Sequence, residues 1–273
     1  MKNDLFSIGR FTIHGYGLMI GIGFLSAYLL SDYRAKKKGL DPDHVFGLAG
    51  WAIAIGLVSA KLLYYMTTID EIMANPRLLL DVANGFVVYG GIIGGIIGGY
   101  VYCRRHKLEF LKYVDLIMPT VALAQGFGRI GCFLAGCCYG RETEGAFAIV
   151  FQNSAYAPNG IPLIPTQLIC SAFNFAHFFV LTWLGGKVKK DGQVGAMYLI
   201  IYSMGRFVIE FYRGDLIRGN VGALSTSQFI SLFAAGAGIL LFMVSRKRET
   251  LEKGEAAPQE TPKTDAGQQQ DTD

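Results

Sequence analysis

Seven apolar stretches are spaced along the chain, at residues 13–30, 45–66, 86–103, 116–138, 168–184, 194–212 and 228–244. Each is close to the ~20 residues that a helix needs to cross the ~30 Å hydrocarbon core of a bilayer. Strand-like alternation of apolar and polar residues is absent, so an outer-membrane barrel is not expected. Inside lipid the backbone must satisfy its own hydrogen bonds, which makes spans of this length helices. The pattern predicts an all-α integral membrane protein with seven transmembrane helices over residues 1–244. A longer polar loop separates the fourth and fifth spans, at 140–167. The tail 245–273 is polar, carries Gln268, Gln269 and Gln270 and has no apolar period, so it is expected to be disordered.

Composition sharpens this picture. The chain is 52% hydrophobic and only 17% charged, against about 25% charge in ordinary soluble domains. Lys61, Arg129, Arg206 and Glu210 are the charged residues within the seven stretches. A soluble enzyme, a disordered chain and a nucleic-acid binder are excluded on this ground.

Basic residues set the orientation. Arg34, Lys36, Lys37 and Lys38 follow the first span, Arg104, Arg105, Lys107 and Lys112 the third, and Lys187, Lys189 and Lys190 the fifth. Arg246, Lys247, Arg248, Lys253 and Lys263 follow the seventh. The opposite loops hold Lys2, Arg10, Arg77, Arg141, Arg213 and Arg218. This asymmetry places the N-terminus outside and the C-terminus in the cytoplasm. The first stretch lacks a basic leader and an A-x-A site, so it is not read as a cleaved signal peptide.

Ionisable residues within spans are costly and are functional candidates by default. With this topology Arg129, Arg206, Glu210 and Lys61 all fall in the outer half of the bilayer, as do Arg213, His14, Tyr16 and Tyr89. The inner half is expected to hold none, which argues against a transporter and for a pocket open to the outer leaflet. Arg206, Glu210 and Arg213 recur at i, i+4 and i+7, on one helix face. Arginines at headgroup depth suit an anionic phosphate, because a guanidinium binds phosphate oxygens in pairs. A structural Arg206–Glu210 pair is the alternative for those two residues, and interfacial snorkelling is the alternative for Lys61 and Arg213. His177 reads as a hydrogen-bonded packing residue. The small-xxx-small run from Gly90 to Gly99 reads as close helix packing. Cys132, Cys137 and Cys138 cluster in sequence but show no C-x-x-C spacing, so packed thiols are favoured over metal or redox chemistry. No metal and no cofactor is expected.

Specific strings then become recognisable: HGYGLMIGIGF from His14, GLVSAKLLYY from Gly56, GRIGCFLAGCCYG from Gly128, PTQL from Pro165, YSMGRFVIEFYRGD from Tyr202 and STSQFISL from Ser225, with Asp115 and Pro119 in a D-x3-P spacing. In order and spacing the chain resembles the bacterial prolipoprotein diacylglyceryl transferases. That resemblance implies transfer of the diacylglyceryl group of phosphatidylglycerol to the lipobox cysteine thiol of prolipoprotein signal peptides, with release of glycerol phosphate. It implies a multi-pass protein of the bacterial cytoplasmic (inner) membrane, with membrane lipids and prolipoproteins as partners and no nucleic acid. Arg129 matches the family's signature Arg, and Arg206 and Glu210 match the paired residues of the sixth span. Tyr16 matches a family Tyr of the first span, and Gly140 matches the closing Gly of the signature. Tyr89 stands where the family commonly has His, which makes it a replacement acid/base candidate. Cys132, Ala135 and Cys137 stand where the signature has Asn, Asn and Glu. Arg129, Arg206, Glu210 and Tyr89 are therefore the expected catalytic residues. His14, Tyr16, Lys61, Gly140 and Arg213 join Arg129 as expected substrate-binding residues. A catalytically altered paralogue that binds anionic lipid is the competing reading, and a small-molecule transporter is a more distant one.

Overall fold

A computed structural model describes residues 4–8, 11–81, 85–188, 190–215 and 219–255. The elements, in order, are β1 (Asp4–Ile8), β2 (Phe11–His14), α1 (Gly15–Lys37), α2 (Pro42–Thr67), α3 (Ile69–Ala74), a 3-10 turn at Pro76–Leu80, α4 (Val88–Arg105), α5 (Phe110–Ala135), β3 (Ile149–Val150), β4 (Pro162–Leu163), α6 (Thr166–Gly185), α7 (Gln193–Glu210), β5 (Asn220–Val221), β6 (Leu224–Ser225) and α8 (Thr226–Glu255). Each apolar stretch becomes one long helix: α1, α2, α4, α5, α6, α7 or α8. By length and composition α2, α5, α6 and the Thr226–Arg246 part of α8 are apolar enough to cross a membrane. The protein is an all-helical, multi-pass membrane protein.

Its surface is that of a protein solvated by lipid. Ile92, Ile93, Ile96 and Ile97 on α4 are each more than half exposed, while the glycines between them face α2. A Cβ on Gly90 would lie 2.6 Å from the Ser59 carbonyl oxygen, and one on Gly98 would lie 3.0 Å from the Ile55 Cβ. A Cβ on Gly94 would run into the Ser59 side chain and the Ile55 carbonyl. One row of the glycine pattern thus lets α2 and α4 touch backbone to backbone. The second row is looser, since Gly91 and Gly95 have nothing closer than 3.6 Å.

Of the remaining long helices, α1 and α6 pack antiparallel on α5, α7 packs on α5 and α6, and α8 packs on α7. The Ser31 hydroxyl on α1 meets the Thr120 hydroxyl at 2.8 Å, and farther along α5 Gly131 abuts Tyr16. Ser171 on α6 donates to the Gly126 carbonyl at 2.9 Å. On α8, Ser227 receives a hydrogen bond from Arg206 near one end of α7, while Gly192, which caps the other end of α7, lies beside Ser245. The result is a bundle with two distinct ends. One end holds the C-terminal turns of α1 and α4, with Arg34, Lys36, Lys37, Arg104 and Arg105. Those charges complement the negative ends of the two helix dipoles.

Two sequence expectations need correction, and a third gains detail. First, α5 begins at Phe110, so Asp115 lies inside a helix at the basic end and the inner half is not free of ionisable groups. Asp115 is buried and its two oxygens accept the Gly192 and Gly195 amides at 2.8 Å each. A carboxylate of one helix thereby caps the first turn of another, where orphan N–H groups and positive dipole converge. Second, the tail does not turn polar and irregular at once. Helix α8 continues to Glu255, because Arg246 to Glu255 are mostly good helix formers; residues 256–273 lie outside the described residues. Third, the 140–167 loop is a packed unit. Strands β3 and β4 pair antiparallel over a small core of Phe151, Ala157 and Leu163.

Candidate active site

The end of the bundle opposite Asp115 carries the arginines. Arg129 projects from the last turns of α5 and Arg206 from the last turns of α7. Both line one cavity of about 600 Å³, walled by Ile164, Ile169, Cys170, Phe173, Tyr202 and other residues of α6 and α7. Several wall residues are also exposed on the outside of the bundle: Ile169 by 47%, Met204 by 63% and Val208 by 55%. The cavity therefore opens sideways on the α6–α7 flank, toward the surface that lipid covers.

Arg206 is held from two sides. Its Nη2 lies 2.8 Å from the Glu210 carboxylate one turn later and donates to the Ser227 hydroxyl at 2.8 Å. Glu210 accepts from the Ser225 hydroxyl at 3.1 Å. Ser225 is itself fixed by a reciprocal capping box at the start of α8: the Gln228 amide donates to its Oγ at 3.2 Å and its own amide donates to the Gln228 side chain at 3.1 Å. The other amino nitrogen of Arg206, Nη1, is buried and has no acceptor among the described residues. Among the described residues no carboxylate pairs with Arg129. Two guanidinium groups facing one carboxylate leave the cavity with a net positive charge.

A short strap fixes the spacing of the two helix ends. After α5, Gly140 bridges to Arg213, the Gly214 amide donates to the Tyr139 carbonyl at 3.1 Å and the Arg141 amide to the Tyr212 carbonyl at 2.9 Å. The Gly140 amide is spent on the Ile164 carbonyl at 3.0 Å. A Cβ there would sit 2.5 Å from that oxygen, so only glycine allows three segments to cross at this point. Arg213 is buried and forks onto Asp215, with Nε–Oδ1 at 2.8 Å and Nη2–Oδ2 at 2.6 Å. Burial works against its charge, but the Asp215 fork outweighs that and raises its pKa. Gly140 and Arg213 border a second recess of about 380 Å³ with Tyr139, Arg141 and Glu142.

The sequence-derived candidates thus separate into two groups. Arg129 and Arg206 line the cavity and Glu210 pairs with Arg206, with Tyr16 on α1 packed against Gly131, two residues beyond Arg129, and Gly140 and Arg213 on the strap. Tyr89 and Lys61 belong to the α2–α4 pair instead. Lys61 donates to the Asp81 carbonyl at 2.6 Å and lies 5.0 Å from the Tyr64 and Tyr65 ring centres. His14 ends β2 and precedes the first turn of α1. His177 is buried, but not as a hydrogen-bonded residue: both ring nitrogens lack partners and the ring stacks on Tyr198 at 5.2 Å. Ser225, Ser227, Gln228 and Tyr202 escaped the sequence reading as individual site residues. The S-x-x-Q spacing ahead of the last apolar run was the available signal for the first three.

The three cysteines that cluster in sequence also cluster in space. The Sγ atoms of Cys132, Cys137 and Cys138 all lie within 4.8 Å of one another, and all three are partly exposed and outside any disulfide. The cause is the way α5 ends. Gly136 takes a left-handed conformation, φ +76°, and the Cys137 amide returns to the Cys132 carbonyl while the Gly136 amide returns to that of Phe133, each at 3.1 Å. This Schellman geometry brings the residue after the glycine onto the residue four before it. Cys138, with φ +61°, folds back onto the same point. A C-x4-C-C run across a helix-ending glycine does in space what C-x-x-C does elsewhere.

A bundle of lipid-facing helices with a sideways-opening cavity lined by Arg129 and Arg206 defines a multi-pass membrane protein with a positively charged lateral cavity. The family of prolipoprotein diacylglyceryl transferases matches residues 3–244. The chain is 50% identical to the phosphatidylglycerol–prolipoprotein diacylglyceryl transferase of Clostridium tetani over 91% of its own length and 100% of that protein. It is 46% identical to the second such transferase of Clostridium perfringens, over 93% and 100%, and 32% identical to that of Finegoldia magna, also over 93% and 100%. The chain belongs to the prolipoprotein diacylglyceryl transferase family.

Proposed function

We propose that this protein transfers the diacylglyceryl group of phosphatidylglycerol to the lipobox cysteine of prolipoproteins, in the bacterial cytoplasmic membrane. The observation that carries the reading is the pairing of Arg129 with Arg206 on one laterally open apolar cavity, Arg206 keeping Nη1 without an acceptor. All seven long helices span the bilayer in this reading, the N-terminus outside and the C-terminus inside. Support comes from the basic end of the bundle, which the positive-inside rule assigns to the cytoplasm. The cavity then faces the outer leaflet.

The chemistry follows from the parts. The apolar walls take the acyl chains of a lipid entering from the side, and its phosphodiester reaches the arginines. The anionic phosphate matches the charge left by two guanidinium groups and one carboxylate. The thiol sulfur attacks the glyceryl carbon, the carbon–oxygen bond breaks, and the electron pair leaves on the phosphate oxygen of glycerol phosphate. Charge grows on that phosphate, and preorganised donors in a water-poor site stabilise it where bulk water would have to reorganise. Glu210, Ser225 and Ser227 keep Arg206 in one geometry. Arg213, forked onto Asp215, holds the strap beside Gly140. Tyr16 lies near Arg129, while Lys61 and Tyr89, on the α2–α4 pair, and His14, ahead of α1, stand apart from the cavity and take no part in the transfer step.

Purified protein incubated with phosphatidylglycerol and a lipobox peptide is expected to add the diacylglyceryl mass to the peptide, and a Cys→Ser peptide is expected to stay unmodified. Lipid binding without any mass shift would instead indicate a protein that handles anionic lipid.

A further inference from the structure

The transfer proposed above needs a thiolate, and an ordinary thiol with pKa near ~8.5 is mostly protonated at neutral pH. Arg129, Arg206 and Arg213 attract anions but cannot accept a proton. The three thiols at the end of α5 offer another means.

We propose that Cys132, Cys137 and Cys138 hold a zinc ion through three thiolates, and that its fourth position takes the thiol of the acceptor peptide. The proposal rests on the transferase reading. Catalytic zinc keeps three protein ligands and one exchangeable position, whereas structural zinc closes all four. Tetrahedral zinc with bonds of ~2.3 Å holds its sulfurs about 3.8 Å apart, and here the three Sγ atoms already lie within 4.8 Å of one another.

The cluster is built rather than incidental. The Schellman end of α5 fixes Cys137 over Cys132. The carbonyls of Cys137 and Cys138 are held from α6 by the Gln167 side-chain amide at 2.8 Å and the Thr166 hydroxyl at 2.9 Å. All three cysteines are partly exposed, so a metal and a fourth ligand can reach them. Three thiolates and a zinc ion carry one net negative charge, and the Arg129 guanidinium three residues before Cys132 supplies a nearby positive charge.

The position relative to Arg129 gives the site its use. Arg129 and Cys132 are i and i+3 on α5, neighbours on one helix face. A lipid phosphate on Arg129 then presents its glyceryl carbon within one turn of the metal. Coordination by zinc releases the acceptor's thiol proton to water, since a coordinating thiol is deprotonated. The sulfur forms its bond to the glyceryl carbon, the carbon–oxygen bond breaks, and the electron pair departs on the phosphate oxygen. Zinc keeps its oxidation state throughout. The thioether product has lost its charge and leaves the metal, which frees the fourth position.

Cobalt(II), a coloured stand-in for zinc, tests the site without reference to turnover. Reduced, metal-free protein is expected to bind one cobalt per chain with sulfur-to-metal charge-transfer bands. Those bands should disappear in Cys137→Ala, persist in Cys103→Ala, and shift on adding a lipobox Cys peptide but not its Ser counterpart. Should the Cys137→Ala protein fail to fold, wild type suffices: zinc should protect Cys132, Cys137 and Cys138, but not Cys170, from alkylation read by mass. Zinc-loaded protein should turn over at least about 100-fold faster than the metal-free form. Absence of thiolate bands, bands indifferent to the Cys peptide, or full turnover without metal would each overturn the zinc site and leave the transferase reading standing. Cobalt bands that respond to the Cys peptide, with no product under any condition, would uphold the site and remove the transferase reading.

Discussion

Arg206 and Glu210 stand one turn apart on α7 and meet at 2.8 Å, their side chains only 12% and 9% exposed. Breaking a buried ion pair from one side leaves the other charge uncompensated, at a cost of about 3–5 kcal/mol. Glu210→Gln is therefore expected to lower the thermal midpoint in detergent and to cut turnover together, since Arg206 loses its fixed direction. A variant with wild-type melting and wild-type rate would remove Glu210 from both roles.

Arg129 behaves differently because no carboxylate depends on it. Arg129→Ala should melt close to wild type while losing about 10²–10³-fold or more in turnover, the scale of a lost transition-state donor. Arg129→Lys keeps the charge but not the paired N–H geometry, and should recover little of the rate. Melting curves and product formation on the same preparations separate this pattern from that of Glu210.

Much of the fold was legible because burial in lipid writes a simple code. Every apolar stretch became a long helix, and Arg129 and Arg206 line one cavity. The features that were not legible depend on where the chain turns back on itself. Gly136 ends α5, and its left-handed backbone together with that of Cys138 converts C-x4-C-C into three converging thiols, which a search for C-x-x-C passes over. Asp115 lies just outside an apolar stretch by composition, yet inside a helix whose neighbour's amides it caps. The 140–167 loop holds Phe151, Leu163 and Ala157 too far apart in sequence to announce a core. Tyr89 and Lys61 share a depth with Arg129, but depth alone cannot tell which helices are neighbours.

Helix contact at the α2–α4 seam is specific to one glycine row. Gly94→Ala pushes a methyl group into Ser59 and the Ile55 carbonyl, and should destabilise by about 1–3 kcal/mol, as overpacking does. Gly95→Ala has only the Ala52 carbonyl at 3.6 Å and gains about 1 kcal/mol of helix propensity. The two variants should move the melting temperature in opposite directions.

At the far end of the bundle, Asp115 should matter for assembly rather than chemistry. Fourteen residues of helix separate it from Arg129, about 21 Å at ~1.5 Å per residue. Hydrogen bonds to a charged group contribute about 1.5–3 kcal/mol each, so Asp115→Ala should lower the melting temperature markedly. The rate per folded molecule should stay near wild type. A selective loss of rate would mean that the α7 N-terminus and the cavity are coupled.

Gly140 links packing to catalysis most directly. Its α-carbon lies where the segments after α5, before α6 and after α7 cross, and an added methyl group meets the Ile164 carbonyl at 2.5 Å and the Ile164 Cβ at 2.7 Å. Backbone cannot step aside as a flexible side chain can, so Gly140→Ala must separate the strap from one of its partners. That moves the end of α5 relative to α7, and with it Arg129 relative to Arg206. A displacement of order 1 Å at a reacting centre can cost about 10²-fold in rate. Gly140→Ala is thus expected to insert and fold, to lose turnover on that scale, and to affect the rate more than the affinity for phosphatidylglycerol measured at equilibrium. Gly214→Ala, whose added methyl group would meet the Gly140 carbonyl oxygen at 2.5 Å, should reproduce the defect from the other side of the same crossing. If both variants keep full rate, the strap does not set the distance between the two arginines.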